Sequence, residues 1–279
     1  MFEDITKVVL LSDMDGTLLN SRKQITPADR AAIERFTALG GKFTVATGRT
    51  IQSFEQFRSV ISLPHPIIMY NGAAIHDYET GETLRVRPLP DTAREITEAV
   101  MREMPHIGGE VLRTDATYVF SNSDYQKLHT KLCNIVPDYA DLRDIPDGGW
   151  LKVLFAMSPE DMDYFEMFIR RMGWENVSFV RSSEMFWEML PEGVSKGSAL
   201  TEYRSLPGFG DLTFVSVGDF DNDIEMIQAA DLGACPANAE DSVKAAADLV
   251  LEHTNDEGAV AELIDYIINS AARGTEVQK

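Results

Sequence analysis

Cysteine is scarce: Cys133 and Cys235 are the only two in 279 residues, and they stand far apart. Two thiols cannot build a disulfide framework or a metal-ligand pattern, and they suit a reducing cytoplasm, the expected location. Long apolar runs are missing too. No stretch approaches the roughly 18 residues a membrane-spanning helix requires. Acidic Glu3 and Asp4 stand where a secretory signal would carry a basic start and an apolar run. Basic residues are few, 25 against 45 acidic, for a formal net charge of −20. A surface of that sign repels nucleic acids and anionic membranes, so neither is an expected partner. An anionic small substrate would have to be drawn in by local cations or a bound metal.

Other absences narrow the field further. The five histidines (His65, His76, His106, His129 and His253) never recur at i, i+4, so no zinc site is expected and each reads as a surface or satisfied residue. There is no G-x-x-x-x-G-K-[ST] loop and no strand-linked G-x-G-x-x-G. Two Asp-rich stretches resemble the start of a calcium-binding loop. Their sixth positions, however, are Leu18 and Ile224 instead of Gly, and their twelfth are Gln24 and Ala230 instead of Glu.

What is present alternates between strand and helix. Val8-Val9-Leu10-Leu11 reads as a buried strand running into Asp13-Met14-Asp15-Gly16-Thr17. Thr26-Pro27-Ala28-Asp29 is a helix start, with Thr as N-cap and Pro at the first turn, and Gly40-Gly41 ends that helix. Strands are expected at 42–46 and 66–69, with a helix between them over 51–60. After 84 the rhythm changes to strands near 110–113, 117–121, 150–157, 177–180 and 185–190, with helices near 91–104 and 159–172. From Ser195 the first rhythm returns, with a helix to about 205, a strand at 212–217, a helix at 224–230, short strands near 232–234 and 249–251, and a closing helix over 258–271. The pattern predicts an α/β core with a mostly parallel sheet, residues 1–82 and 191–279. An α+β unit, 83–190, is inserted between Thr80-Gly81-Glu82 and Pro191-Glu192-Gly193.

The notable polar residues follow strands: Asp13 and Asp15 the first, Thr47 the second, Asn71 the third, Asp219 and Asp223 the strand after the insert. In open parallel sheets, ligands bind beyond the carboxyl ends of the strands, where such residues converge. Asp13, Asp219 and Asp223 around one point would repel unless a hard cation sat among them, and an all-oxygen set favours Mg²⁺. Taken singly, each Asp pair is equally a turn or capping device, and Lys196 a surface lysine at a helix start.

Taken together, the motifs resemble the haloacid dehalogenase superfamily of phosphohydrolases, and most closely its Cof-type subclass IIB. DMDGTLL, VATGR, LPEGVSKGSAL and VGDFDND match its four motifs in order, with NGAAI before the insert. The resemblance implies a Rossmann-like core and a cap. It implies Asp13 as nucleophile, forming an aspartyl-phosphate, and Asp15 as the acid and then the base. Thr47, with Gly48 of its loop, would bind the phosphoryl group; Lys196 would neutralise it and Asn222 contact it. Mg²⁺ would be held by Asp13, the Asp15 carbonyl and Asp219, with Asp223 in support. Arg49 and Asn71 stay open between substrate contact and loop-stabilising hydrogen bonds. Phe220-Asp221 departs from the subclass pattern, and the cap carries no motif. The implied activity is a Mg²⁺-dependent phosphatase acting on a small phosphate ester, first a sugar phosphate, in a monomer or small homo-oligomer. A phosphomutase and a non-catalytic phospho-ligand binder are the alternatives.

Overall fold

The computed structural model describes residues 2–277. Val8–Ser12 (β1) is buried along its whole length, which a central parallel strand covered on both faces requires. Pro27–Ala38 (α1) starts where Thr26 accepts the Asp29 backbone N–H. It returns the chain to Lys42–Val45 (β2), parallel to β1. Ile51–Phe54 (α2) is one turn long. The helix expected over 51–60 tightens into a 3₁₀ turn at Glu55–Phe57. That turn packs Phe57 against Phe54 and beneath the Arg49 guanidinium, 4.9 Å from the ring centre.

Ile67–Met69 (β3), Ala74–Asp77 (β4) and Glu82–Val86 (β5) form an antiparallel three-stranded sheet. A parallel bridge from Ile68 to Ala46 sets β3 beside β2. Thr80-Gly81, expected to mark the start of the insert, is instead the reversal of the β4–β5 hairpin, with Gly81 at φ +75°. β5 therefore stays with the first group of strands, and the chain leaves it after Arg87, whose N–H donates to Ala73.

The inserted part carries Ala93–Glu103 (α3), Gly108–Leu112 (β6), Thr117–Ser121 (β7), Asp124–Leu132 (α4), Asp138–Tyr139 (β8), Lys152–Ala156 (β9), Pro159–Met172 (α5), Val177–Ser183 (β10) and Phe186–Pro191 (β11). Its six strands run β10-β11-β9-β6-β7-β8 and pair antiparallel, except β7 with β8. Alternation divides the sheet's faces. Val111, Val153, Phe155, Trp187 and Met189 pack under α3 and α5. Glu110, Leu112, Lys152, Leu154, Phe186 and Glu188 occupy the alternate positions on the other face.

Lys196–Tyr203 (α6), Thr213–Val217 (β12), Ile224–Ala229 (α7), Leu232–Cys235 (β13), Asp241–Ala246 (α8), Leu249–Val250 (β14) and Ala259–Val277 (α9) then complete the parallel sheet in the order β14-β13-β12-β1-β2. No helix among the described residues is long and apolar enough to cross a membrane.

Candidate active site

Beyond the carboxyl ends of β1, β2 and β12, a cavity of about 400 Å³ opens between the parallel sheet and the inner face of the inserted one. Asp13 stands immediately after β1, its N–H donating to Val217 at 2.8 Å. Its carboxylate accepts from Lys196 Nζ at 2.5 Å, and the same ammonium donates to Asp223 Oδ1 at 2.7 Å. Lys196 opens α6 with its side chain wholly buried, so the surface-lysine alternative is excluded by its position. Burial works against its charge, but Asp13 and Asp223 outweigh it and push its pKa up.

Asp13, Asp219 and Asp223 each offer an oxygen within 4.8 Å of the others. Three carboxylates against one ammonium leave two negative charges in a buried place. The strain registers in their protonation: burial first, then the neighbouring acids, raise Asp13 to about 7 and Asp219 well above the usual carboxylate range. A divalent cation with oxygen ligands would cancel that excess, so the donor set fits Mg²⁺. Asp219 is steadied by Thr17, whose hydroxyl donates at 2.7 Å. Gly16 makes room for it. A Cβ there would lie 2.3 Å from Asp219 Oδ2, and its φ of +95° suits only glycine. Asp223 Oδ2 is already engaged by the N–H groups of Asp219 and Phe220, which makes it the brace of this loop.

Asp15 has partners other than Lys196. Arg49 grips it in a fork, Nε to Oδ2 at 2.7 Å and Nη2 to Oδ1 at 2.8 Å, and Lys23 adds a third bond at 2.8 Å. Burial alone would raise its pKa, but the two cations outweigh burial and hold it well below the usual range. About a third of its side chain stays open. Thr47 is buried, and its hydroxyl oxygen accepts from the Arg49 N–H, which leaves the hydroxyl hydrogen free to donate.

Two cap residues escaped the sequence reading. Lys152 Nζ donates to Gly48 O at 2.8 Å and to Glu188 Oε2 at 2.7 Å. Asn71 Nδ2 donates to the same Glu188 oxygen at 2.6 Å, and Asn71 Oδ1 accepts from Asn222 Nδ2 at 3.0 Å. Asn71 and Asn222 thus join a polar strap between the inserted sheet and the motif loops. The signal that could have found Lys152 and Glu188 is a lone charge inside an otherwise apolar strand, which is costly unless paired. Lys23 and Thr17 were within or beside the first motif but carried no spacing signal of their own.

A model of the haloacid dehalogenase-like hydrolases matches residues 10–264. The pyridoxal phosphate phosphatase YbhA of Escherichia coli is 28% identical over 272 residues, covering 93% of this chain and 97% of its own. The Bacillus subtilis 5-amino-6-(5-phospho-D-ribitylamino)uracil phosphatase YcsE is also 28% identical, over 95% of this chain and 97% of its own. The crystal structure of a haloacid dehalogenase-like hydrolase from Bacteroides thetaiotaomicron superposes with a TM-score of 0.77 at 25% identity, over 93% of this chain and 98% of that one. With the family model spanning almost the whole chain, the protein belongs to the haloacid dehalogenase-like hydrolases and is a phosphoric monoester hydrolase.

Proposed function

We propose that the protein is a Mg²⁺-dependent phosphatase that hydrolyses a small phosphorylated metabolite through an aspartyl-phosphate on Asp13. The observation that carries this reading is the buried Asp13–Lys196–Asp223 group beside Asp219, with Asp15 across the same cavity. Asp13 Oδ attacks phosphorus and the ester oxygen departs. Lys196 holds Asp13 in line and offsets the phosphoryl charge, and the Thr47 hydroxyl donates to a phosphoryl oxygen. Asp13, the Asp15 carbonyl and Asp219 would hold Mg²⁺, with Asp223 bracing the loop. The ion would spread the negative charge of the transferring group. Asp15 protonates the leaving oxygen and then takes a proton from the water that cleaves the intermediate. That duty requires Arg49 and Lys23 to let go of Asp15, since both favour its ionised form. An incoming phosphate ester is an anion able to draw them off.

The separate apolar cluster from Leu89 to Met189, and the pairing of β5 with β4, support a division into a core of 2–87 and 191–277 and a cap of 88–190, displaced from the hairpin turn at 80–82. Leu112, Leu132, Ile135, Met185 and Phe186 line the cavity beside that strap. Those five offer no partner to hydroxyls, so a leaving group with one apolar face fits better than a fully hydroxylated sugar. Pyridoxal phosphate, named for the Escherichia coli relative, is the first compound to test, and sugar phosphates the second. Phosphate release from both, with Mg²⁺ and with chelator, tests the reading. Release undiminished in chelator, or turnover only with a bisphosphate activator as a mutase requires, would overturn it.

A further inference from the structure

The cap holds a second constellation that phosphoryl transfer does not employ. Cys133 caps α4 one turn after His129, which puts the two side chains on one face of the helix. Cys133 Sγ lies 3.4 Å from His129 Nε2. His129 Nδ1 lies 2.8 Å from Glu110 Oε1, an ion-pair contact in which neither atom makes a hydrogen bond. Glu110 is wholly buried on the inner face of the cap sheet, where Gln126 Nε2 donates to its other oxygen at 3.0 Å. Cys133 and His129 both line the cavity that holds Asp13 and Asp15.

We propose that Cys133 is a nucleophilic thiol built for modification by small hydroperoxides, with His129 as its base and Glu110 as the group that orients that base. The order carboxylate, Nδ1, Nε2, nucleophile is the one that lets an imidazole take a proton and keep it. A fully buried carboxylate is expensive, and this one has no partner in the phosphatase site. Burial opposes a charge on His129, yet Cys133 and Glu110 together raise its pKa well above the ordinary value. A second, independent feature borders the same cavity. Arg49 lines this cavity too and has a buried Nη1 with no hydrogen-bond partner. It is a donor available to an oxygen placed on the sulfur.

The step balances without further reagents. Sulfur attacks one oxygen of the hydroperoxide, the S–O bond forms and the O–O bond breaks. His129 takes the thiol proton and delivers it to the departing oxygen, which leaves as water from hydrogen peroxide or as an alcohol from an alkyl hydroperoxide. Sulfur is oxidised by two electrons to the sulfenic acid, and the peroxide is reduced by the same two. Arg49 Nη1 then donates to the new oxygen. The modification places a polar group on the cavity wall and engages the residue that grips Asp15, so phosphatase activity falls while it persists. Cys235 is the internal control: it is buried in β13, and burial pushes its thiol up.

The test treats the full-length protein with hydrogen peroxide, traps sulfenic acid with dimedone, and reads the adduct by peptide mass spectrometry. Cys133 should label at least tenfold faster than Cys235 and than free glutathione. His129→Gln and Glu110→Gln should each slow the labelling tenfold or more. In parallel samples without dimedone, activity towards an aryl phosphate should fall at the rate at which Cys133 labels, and it should return with dithiothreitol. In Cys133→Ser it should hold at that variant's own untreated rate. Labelling of Cys133 no faster than glutathione overturns the proposal with no variant needed, and so does labelling indifferent to His129→Gln. The adduct is read by mass, so labelling without phosphatase activity would leave this inference standing and remove the proposed function. Activity with Cys133 unlabelled would do the reverse.

Discussion

Raising the pH should destabilise the metal-free protein, and Mg²⁺ should restore what is lost. Asp13 is lifted from 3.8 to about 7, first by burial. An acid raised in this way holds its proton more tightly in the native state than in the unfolded one. Between about pH 4 and pH 7 the native state therefore binds more protons, and stability falls as pH rises, the loss being complete above the native pKa. At about 1.4 kcal/mol per pH unit, a rise from 3.8 to about 7 corresponds to on the order of 4 kcal/mol. For a chain of this size that is on the order of 10 °C in Tm. Asp219 is raised as well and acts in the same direction. A cation among the three carboxylates removes the reason for the rise, so it stabilises most where they are ionised. Scanning calorimetry at about pH 5 and pH 8, in chelator and in excess Mg²⁺, reads this directly. The Tm gap between metal and chelator should be small at the lower pH and on the order of 10 °C at the higher. His129 also loses stabilisation as pH rises, because its native pKa is raised. Burial, Cys133 and Glu110 set its shift, and none of the three carboxylates does, so its share cancels in the gap. Asp219→Asn should shrink the gap at pH 8. An equal gap at both pH values would refute the reasoning.

Asp13→Asn should leave no covalent adduct after acid quench. Asp15→Asn should accumulate one from an aryl phosphate, whose leaving group needs little protonation; phosphate found on any residue but Asp13 would reverse the assignment. Lys152→Met strands Glu188 in a buried place and should cost about 3–5 kcal/mol in urea unfolding, while replacing both by Met should recover most of it. An unchanged midpoint in the single variant would show that the pair carries no such burden. Gly16→Ala drives a Cβ to within 2.3 Å of Asp219 Oδ2. It should weaken Mg²⁺ binding at least tenfold by calorimetric titration; unaltered affinity would mean that Asp219 does not bind the ion.

The core was legible because its signals are local. A continuous apolar run such as Val8–Leu11 can be a strand covered on both faces, and a carboxylate directly after it is held at the sheet edge by the strand itself. The same holds for Thr47 and Asp219. What stayed open was whatever depends on where a long side chain reaches. Lys196 took its role from the motif resemblance; taken singly it read as a surface residue, and its two carboxylates show why it is buried. Asp15 could be assigned a role from its motif, but Arg49 and Lys23, which set its protonation, approach from other loops. The helix expected over 51–60 stopped early because Phe54 and Phe57 turn inward together, a packing demand that periodicity over one short segment does not encode.

The cap was harder for a different physical reason. In a sheet with one face under helices, alternation assigns the other face to solvent, and a charge there attracts no notice. Here the second face meets the core, so Glu110, Lys152 and Glu188 are almost completely removed from water. Each has a partner that supports it: His129 for Glu110, Glu188 and the Gly48 carbonyl for Lys152, Asn71 for Glu188. Two of these contacts cross from the inserted sheet to the first group of strands, one to Gly48 after β2 and one to Asn71 after β3. Opening the cap would hydrate Lys152 and Glu188, whose mutual attraction weakens in water, and closing it would dehydrate them again. In the proposed reading, a cap that opens and closes would have its polar positions at Lys152 and Glu188, while Leu112 and Phe186 present apolar surface to the cavity.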